Sequence, residues 1–369
     1  MIPEPGKHFF KNLDALRFLS FFAVFLSHAF LPGSIGETGG AFGQELSRFA
    51  HLGRLGVDFF FVLSSFLITW IILEEFGSTG NFKLGYFYFR RILRIWPLYF
   101  LLVLAGLTLV GLQLITDASK STLPPVGYLF TFTLNFYITN QGPHFLFFLV
   151  FLWSIAVEEQ FYLAWAFFLK FFKRYLVVFC TALAVGSILF RWVYYPDSNM
   201  LYFHTLSVAC DFAAGAIFAL AAFRKKSLLL WVQRAPAFTW IVLYLLLFLS
   251  LLFYDSVFTG RLAVSLERAW FALLFALVIM EQSYALHSPV KLGKWQILNY
   301  LGKRSYGLYC YHGIVLTGAT WLLSAYPSWN GMFLKLVIPV VLFLFTTFAA
   351  SVSYRFFEKP FLQMKQRYY

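Results

Sequence analysis

Arg17 and His28 stand eleven residues apart in the first apolar stretch of the chain, which opens at Leu13. At 3.6 residues per turn that spacing is about three turns plus 20°, so on a helix both side chains share a face, roughly 16 Å apart along the axis. Ionisable groups inside apolar helices are costly, which makes each a functional candidate by default. An imidazole in that setting is suited to general-base work on a hydroxyl, and a guanidinium to holding an anion. A lone histidine on an apolar helix is more often a packed core residue, and the aligned arginine is what favours function here. Asp58 follows in Gly53-Arg-Leu-Gly-Val-Asp-Phe-Phe-Phe, about two turns into the next apolar run. Paired with His28, its carboxylate would fix the imidazole tautomer and leave the other ring nitrogen free as a base. Pairing with Arg54, one turn away, is the structural alternative, and spacing leaves both open.

Two further stretches put polar groups where lipid or core is expected. Trp153-Ser-Ile-Ala-Val-Glu-Glu-Gln-Phe-Tyr162 spaces Ser154, Glu158 and Tyr162 at i, i+4 and i+8, a stripe that must face the bundle interior or water, with Glu159 as a partner for an arginine elsewhere. Ser305-Tyr-Gly-Leu-Tyr-Cys-Tyr-His312 brings Ser305, Tyr309 and His312 close to one face, where core packing is the plainer reading of His312. Tyr88-Phe-Arg-Arg-Ile-Leu-Arg-Ile-Trp-Pro97 supplies Arg90, Arg91 and Arg94. These form either a topology anchor or a phosphate site, since Arg90 and Arg94 are one turn apart and guanidinium forks match phosphate oxygens.

The elements that must position these groups are helices in a bilayer. Of 369 residues 60% are hydrophobic and 12% charged, and the mean hydropathy is +0.73, values that exclude an ordinary soluble domain. The 49 phenylalanines read as lipid-facing and interhelical filler. A net charge of +13 would suggest nucleic acid in a soluble protein, but the basic residues cluster between apolar runs. Cys180, Cys210 and Cys310 lie inside apolar segments without metal or redox spacing, and the histidines are dispersed, so no metal site is expected. The N-terminal residues lack the features of a cleaved signal, so the first apolar run is expected to remain as a helix.

Periodicity predicts an all-α, polytopic bundle of about ten transmembrane helices in a single domain over residues 1–369. They are placed at 13–32, 52–75, 97–115, 146–169, 175–195, 204–223, 237–254, 262–281, 305–326 and 333–354. The stretch 126–142 is apolar but short, and is expected to be re-entrant or interfacial. With that arrangement one side collects most of the basic residues, among them Lys7, Arg90, Arg94, Lys170, Lys225, Lys303 and Arg367. The other side collects few: Arg48, Arg54, Lys120, Arg191, Arg261 and Lys335. Both termini are therefore expected to be cytoplasmic.

Taken together, these stretches resemble the acyltransferase family 3 membrane proteins, enzymes that O-acylate sugars, polysaccharides and some lipids. The resemblance rests on Arg17 and His28, the Gly-Val-Asp-Phe-Phe-Phe-Val-Leu-Ser entry to the second helix, Phe89–Tyr99 and Trp153–Tyr162. The Ser305–His312 and Tyr354-Arg-Phe-Phe-Glu-Lys-Pro360 segments add to it, so it covers about Lys11 to Pro360. It implies essential roles for Arg17 and His28 and an acyl-CoA site, with acetyl-CoA as the expected donor, on Arg90, Arg91 and Arg94. Ser65 departs from the glycine usual in the family, and a small residue there still permits close helix packing. Some members carry an appended esterase-like domain that this chain is too short to contain, so transfer alone or with a separate partner is expected.

The expected mechanism has His28, oriented by Asp58, Glu158 or Glu159, deprotonating a hydroxyl of a sugar, surface polysaccharide or lipid-linked glycan, with an acyl-histidine intermediate as a variant. Ser154, Tyr162, Tyr309 and His312 are expected on the acceptor side. The expected location is the bacterial inner membrane, without a nucleic-acid partner, and the family admits an oligomer or polysaccharide-assembly partners. The competing class is a proton-coupled transporter or flippase, which the same intramembrane groups would suit; inverted repeats and paired broken helices, its usual signs, are not found in the sequence. A non-catalytic scaffold would leave the aligned Arg17 and His28 unexplained.

Overall fold

The computed structural model describes residues 10–30, 51–112, 123–325 and 332–365, and among these every regular element is helical. Lys7, Arg48, Lys120 and Arg367, the side chains of Lys11, Lys335 and Lys365, and residues 31–32, 113–115 and 326 of the expected helices lie outside that description. The elements run α1 Lys11–Phe30, α2 His51–Thr79, α3 Leu84–Gly111, α4 Val126–Phe130, α5 Leu134–Gln141, α6 Phe147–Val150, α7 Leu152–Phe172, α8 Leu176–Tyr194 and α9 Ser198–Phe203. They continue with α10 Ala209–Arg224, α11 Lys226–Arg234, α12 Ala237–Leu252, α13 Tyr254–Val257, α14 Gly260–Tyr284, α15 Gln296–Gly302, α16 Ser305–Ala325, α17 Met332–Ser353 and α18 Lys359–Lys365.

Among the described residues six runs are long and apolar enough to cross a membrane, and α11 with α12, which meet at 90°, make a seventh if they are one broken span. The protein is a multi-pass membrane protein. One of the six, Phe147–Tyr194, has 48 residues, about 70 Å of helix against a ~30 Å hydrocarbon core. It divides at a 3-10 turn over Lys173–Tyr175, where lysine and arginine interrupt the apolar pattern, into α7 of 21 residues and α8 of 19. On α7, Leu163, Phe167 and Phe171 recur every four residues and are all exposed, while Trp165, Ala166 and Leu169 are buried. That is one lipid-facing stripe and one packed face on the same helix.

One expectation changes and another gains detail. The third helix begins at Leu84 rather than near residue 97, so Arg90, Arg91 and Arg94 lie within it and Pro97 is internal. Proline there removes one backbone hydrogen bond, a cost that membrane helices tolerate when neighbours satisfy the freed carbonyl. The 126–142 stretch forms two short helices, of 5 and 8 residues, neither long enough to cross a bilayer by itself. They break at Phe132, whose φ of 55° is unusual for an aromatic residue. Its ring is held against Trp96 and Tyr99 at centroid distances of 5.4 and 4.5 Å, and Tyr99 donates a hydrogen bond to the Leu129 carbonyl at 2.7 Å. This aromatic nest stabilises a turn that the backbone alone disfavours.

Contacts divide the chain into two compact units. The first comprises residues 1–17, 58–84 and 158–302. In it Gly215 of α10 sits so close to α2 that an added Cβ would lie 2.2 Å from the Val62 carbonyl oxygen. Ser65, fully buried, donates to the Phe212 carbonyl at 2.5 Å. Close approach through small residues is how apolar helices gain packing energy where lipid removes the hydrophobic drive. The second unit comprises residues 18–57, 85–157 and 303–369; aromatic contacts such as Phe22 with Phe343 at 5.3 Å join α1, α6, α16 and α17, and Tyr306 of α16 donates to the Ile95 carbonyl of α3 at 2.7 Å.

Candidate active site

In the second unit α1 and α16 bring two histidines together. His28 Nδ1 and His312 Nε2 are 3.4 Å apart, with ring centroids at 5.5 Å and an interplanar angle of 19°. His312 is fully buried and His28 half-buried. The His312 Nδ1 atom hydrogen-bonds to the backbone carbonyl oxygen of Tyr309, one turn back along α16. Phe151, at the junction of α6 and α7, packs on both imidazoles, at centroid distances of 4.4 Å to His28 and 4.5 Å to His312. Phe21 meets His312 edge-on at 5.8 Å. The ring of Phe151 fits because residue 313 is glycine: a Cβ there would lie 2.7 Å from the ring and 3.1 Å from the Phe148 backbone.

Ser154 and Tyr309 belong to the same cluster. Their hydroxyls share a hydrogen bond of 2.7 Å, and Tyr309 also donates to the Phe151 carbonyl at 3.3 Å. These bonds tie α16 to the start of α7 and hold in register the carbonyl that His312 uses. Of the expected site residues the structure therefore gathers His28, His312, Tyr309 and Ser154 in one unit. Phe151 and Gly313 escaped the sequence reading because an aromatic ring and a glycine in an apolar run carry no chemical signal.

The arginines of α3 lie in the same unit. Arg90 is buried, Arg91 and Arg94 are half-buried, and Arg91 stacks over the Phe87 ring at 5.3 Å. Arg94 and Arg304 are electrostatic neighbours of Glu358, which lies in a π-helical turn over Tyr354–Glu358 and accepts a 3.2 Å hydrogen bond from Ser353. Arg304 stacks over the Tyr354 ring at 4.7 Å. The site thus offers several guanidinium groups with a carboxylate as internal counter-ion, a donor set fitted to an anionic group such as a phosphate.

The first unit holds the remaining candidates in a different setting. Asp58 is held by Arg268 Nη1 at 2.8 Å, a partner that local spacing did not offer, and the same nitrogen donates to Asp211 at 2.7 Å. Beside Arg268 on α14, Glu267 accepts from Arg191 at 3.0 Å and from the Tyr254 hydroxyl. Arg191 also donates to the carbonyls of Leu201 at 3.0 Å and Val264 at 2.7 Å and to Ser207 at 3.1 Å. Arg191, which the charge count assigned to a membrane face, is only 1% exposed. It is an internal brace. Arg17 pairs with Asp14 at 2.5 Å. Tyr162 shares a 2.5 Å hydrogen bond with Ser64 rather than joining Ser154, so the stripe of α7 splits between the two units. Glu158 and Glu159 are half-buried on α7. The rule that flagged Asp58, an ionisable group in an apolar helix, applies equally to Asp211, Glu267 and Arg268, and would have found them. Among the described residues no group of three or more His, Cys, Asp or Glu side chains is arranged to hold a metal ion.

Comparison with known proteins identifies relatives of this chain. A protein of Bacillus subtilis provisionally named a peptidoglycan O-acetyltransferase is 28% identical over 362 residues, covering 90% of this chain and 55% of its own. A protein of Staphylococcus aureus provisionally named an O-acetyltransferase is 28% identical over 336 residues, covering 84% and 52%. The peptidoglycan O-acetyltransferase OatA of Listeria monocytogenes is 27% identical over 379 residues, covering 96% and 56%. The chain therefore spans about half the length of these curated relatives. No solved structure matches it. A family profile described as an acyltransferase domain matches residues 10–355, nearly the whole chain. The chain belongs to the acyltransferase family 3 membrane proteins.

Proposed function

We propose that this chain is a membrane O-acyltransferase that takes an acyl group, acetyl first among the candidates, from acyl-CoA and places it on a hydroxyl of a cell-wall glycan. The observation that carries the reading is the meeting of His28 and His312 at 3.4 Å inside a chain matched by the family profile over residues 10–355. His28 is assigned the general base, because its half-buried ring leaves access for a hydroxyl and a neutral imidazole carries a lone pair that can accept its proton. Ser154 and Tyr309 are assigned to the acceptor side of that ring. The donor's phosphates are assigned to Arg90, Arg91 and Arg94, whose guanidinium groups supply charge and forked donors together. Arg17, on the helix that carries His28, is assigned to the donor's path. Glu158, Glu159 and Tyr162 are carried as further acceptor groups, and Asp58 as a structural carboxylate.

The topology that fits this chemistry has about ten crossings, both termini cytoplasmic and a bacterial cell membrane around them, which brings a cytosolic donor to one face and the glycan to the other. A peptidoglycan hydroxyl is the acceptor suggested by the names of the relatives, and any auxiliary partner or oligomer is a matter for the whole protein.

The test is binding and turnover of acetyl-CoA and longer donors by the purified chain in nanodiscs. Wild type is expected to bind donor and release free CoA. His28→Ala is expected to bind it with unchanged affinity and to lose on the order of 10³-fold in turnover. Undiminished turnover in that variant removes His28 from the chemistry, and absence of binding to any donor favours a carrier over a transferase.

A further inference from the structure

We propose that His312 is the positioning residue for His28: it sets the tautomer of His28 so that Nδ1 carries the proton and Nε2 is the basic nitrogen. This rests on the reading of His28 as general base and identifies what orients it. The argument begins at a carbonyl. The Tyr309 backbone oxygen accepts hydrogen bonds and cannot donate, so the His312 Nδ1 atom bonded to it must carry a hydrogen. In a neutral imidazole the other nitrogen is then a lone-pair acceptor. That atom, His312 Nε2, faces His28 Nδ1 at 3.4 Å, so His28 Nδ1 is the donor and its Nε2 is left unprotonated.

The ring geometry agrees with a hydrogen bond rather than a face-to-face stack. The 5.5 Å centroid separation exceeds the 3.4 Å nitrogen–nitrogen distance by almost two ring radii, and the planes differ by only 19°. The two imidazoles therefore meet edge to edge in nearly one plane. At 3.4 Å the bond is long, as catalytic hydrogen bonds often are without substrate.

An imidazole also suits this position better than a carboxylate. Asp58 is held by Arg268, and a carboxylate beside His28 would add a charge to a buried cluster in which the groups around the rings are phenyl, hydroxyl and carbonyl. Two neutral imidazoles cost far less to bury. When His28 Nε2 takes the hydroxyl proton, its Nδ1 proton can pass to His312 Nε2. His28 is then neutral again, and the positive charge rests on His312, whose Nδ1–H already points at the Tyr309 carbonyl. The Ser154–Tyr309 bond and the Phe151 ring in the notch at Gly313 hold this relay in place.

The test uses the full chain in nanodiscs with 15N-labelled histidine, the His28 signals being assigned by their loss in His28→Ala. Wild type is expected to show His28 protonated at Nδ1. His312→Leu, which cannot accept that hydrogen, is expected to move His28 toward the Nε2–H tautomer and to lower kcat on the order of 10²-fold or more while leaving the KM for acyl-CoA unchanged. His312→Gln, whose side-chain oxygen can accept, is expected to keep the Nδ1–H tautomer and to recover at least about tenfold of the loss. An unchanged tautomer in His312→Leu, or equal kcat in the two variants, overturns the proposal. If His312→Leu does not insert, an Nε2–H His28 in His312→Gln overturns it equally. The tautomer readout needs no turnover, so a wild type that transfers no acyl group refutes the transferase reading while the histidine pair is still decided.

Discussion

In the unit built on α8, α10 and α14, buried charges of opposite sign meet: Arg268 with Asp58 and Asp211, Arg191 with Glu267. Around His28 in the other unit the polar groups are imidazoles, a phenol and a hydroxyl, linked by hydrogen bonds without a full charge among them. Both arrangements answer the same penalty for polarity away from water, with different consequences. A buried guanidinium that has used its donors is fixed in place and unavailable for proton transfer, because an arginine does not give up its proton. An imidazole pair can pass a proton from one ring to the other. Burial of ionisable groups inside a membrane protein is thus a guide to importance, and the chemistry of their partners separates braces from reactive groups.

Three substitutions test that contrast, beyond those of the two histidines. The largest effect on stability is expected from Arg268→Ala, which leaves Asp58 and Asp211 without their shared cation; a loss of about 3–5 kcal/mol is expected, read as a lower unfolding temperature in nanodiscs. Stability equal to wild type would mean that the carboxylates find another partner and that the unit is not braced by this pair. Gly313→Ala acts on the neutral cluster by shape alone. Its Cβ has no room beside Phe151, so a stability loss of about 1–3 kcal/mol is expected, with turnover falling further than donor binding because the rings of both histidines lean on Phe151. Turnover and binding that fall together would place the damage elsewhere. The smallest effect is expected from Arg94→Gln: a rise of about tenfold in the KM for acyl-CoA, roughly one charge-assisted hydrogen bond, at unchanged kcat. An unaltered KM would return Arg94 to the role of a topology anchor.

How much of this could be read along the chain differs element by element. The segment 175–195 and the helix Leu176–Tyr194 nearly coincide, as do 305–326 and Ser305–Ala325, because an apolar run of the right length has few alternatives to a helix in lipid. The start of α3 lies about thirteen residues before its expected position. The arginines interrupt the apolar pattern, and Pro97 reads as the first turn of a helix, whereas the helix runs through both, with Arg91 lying over the Phe87 ring one turn back. Arg17, His28 and the Ser154 and His312 segments stood out by residue type. Asp58 also stands out, with His28 and Arg54 as its candidate partners, while Arg268, which the structure brings to it, lies 210 residues further on.

The order of residues by itself determined that the chain is a helical membrane protein and which side chains are chemically unusual, since hydropathy, length and residue type are local properties. Pairings were decided only by the tertiary structure. That His28 meets His312, that Ser154 turns to Tyr309 while Tyr162 turns to Ser64, and that Asp58 braces Arg268 depend on which helices pack side by side. Packing depends in turn on shape at small positions such as Gly215 and Gly313, where the absence of a side chain lets two segments approach. An isolated segment carries no trace of its neighbour, so the tautomer of a histidine, and with it the nitrogen that does the work, exists only in the folded chain.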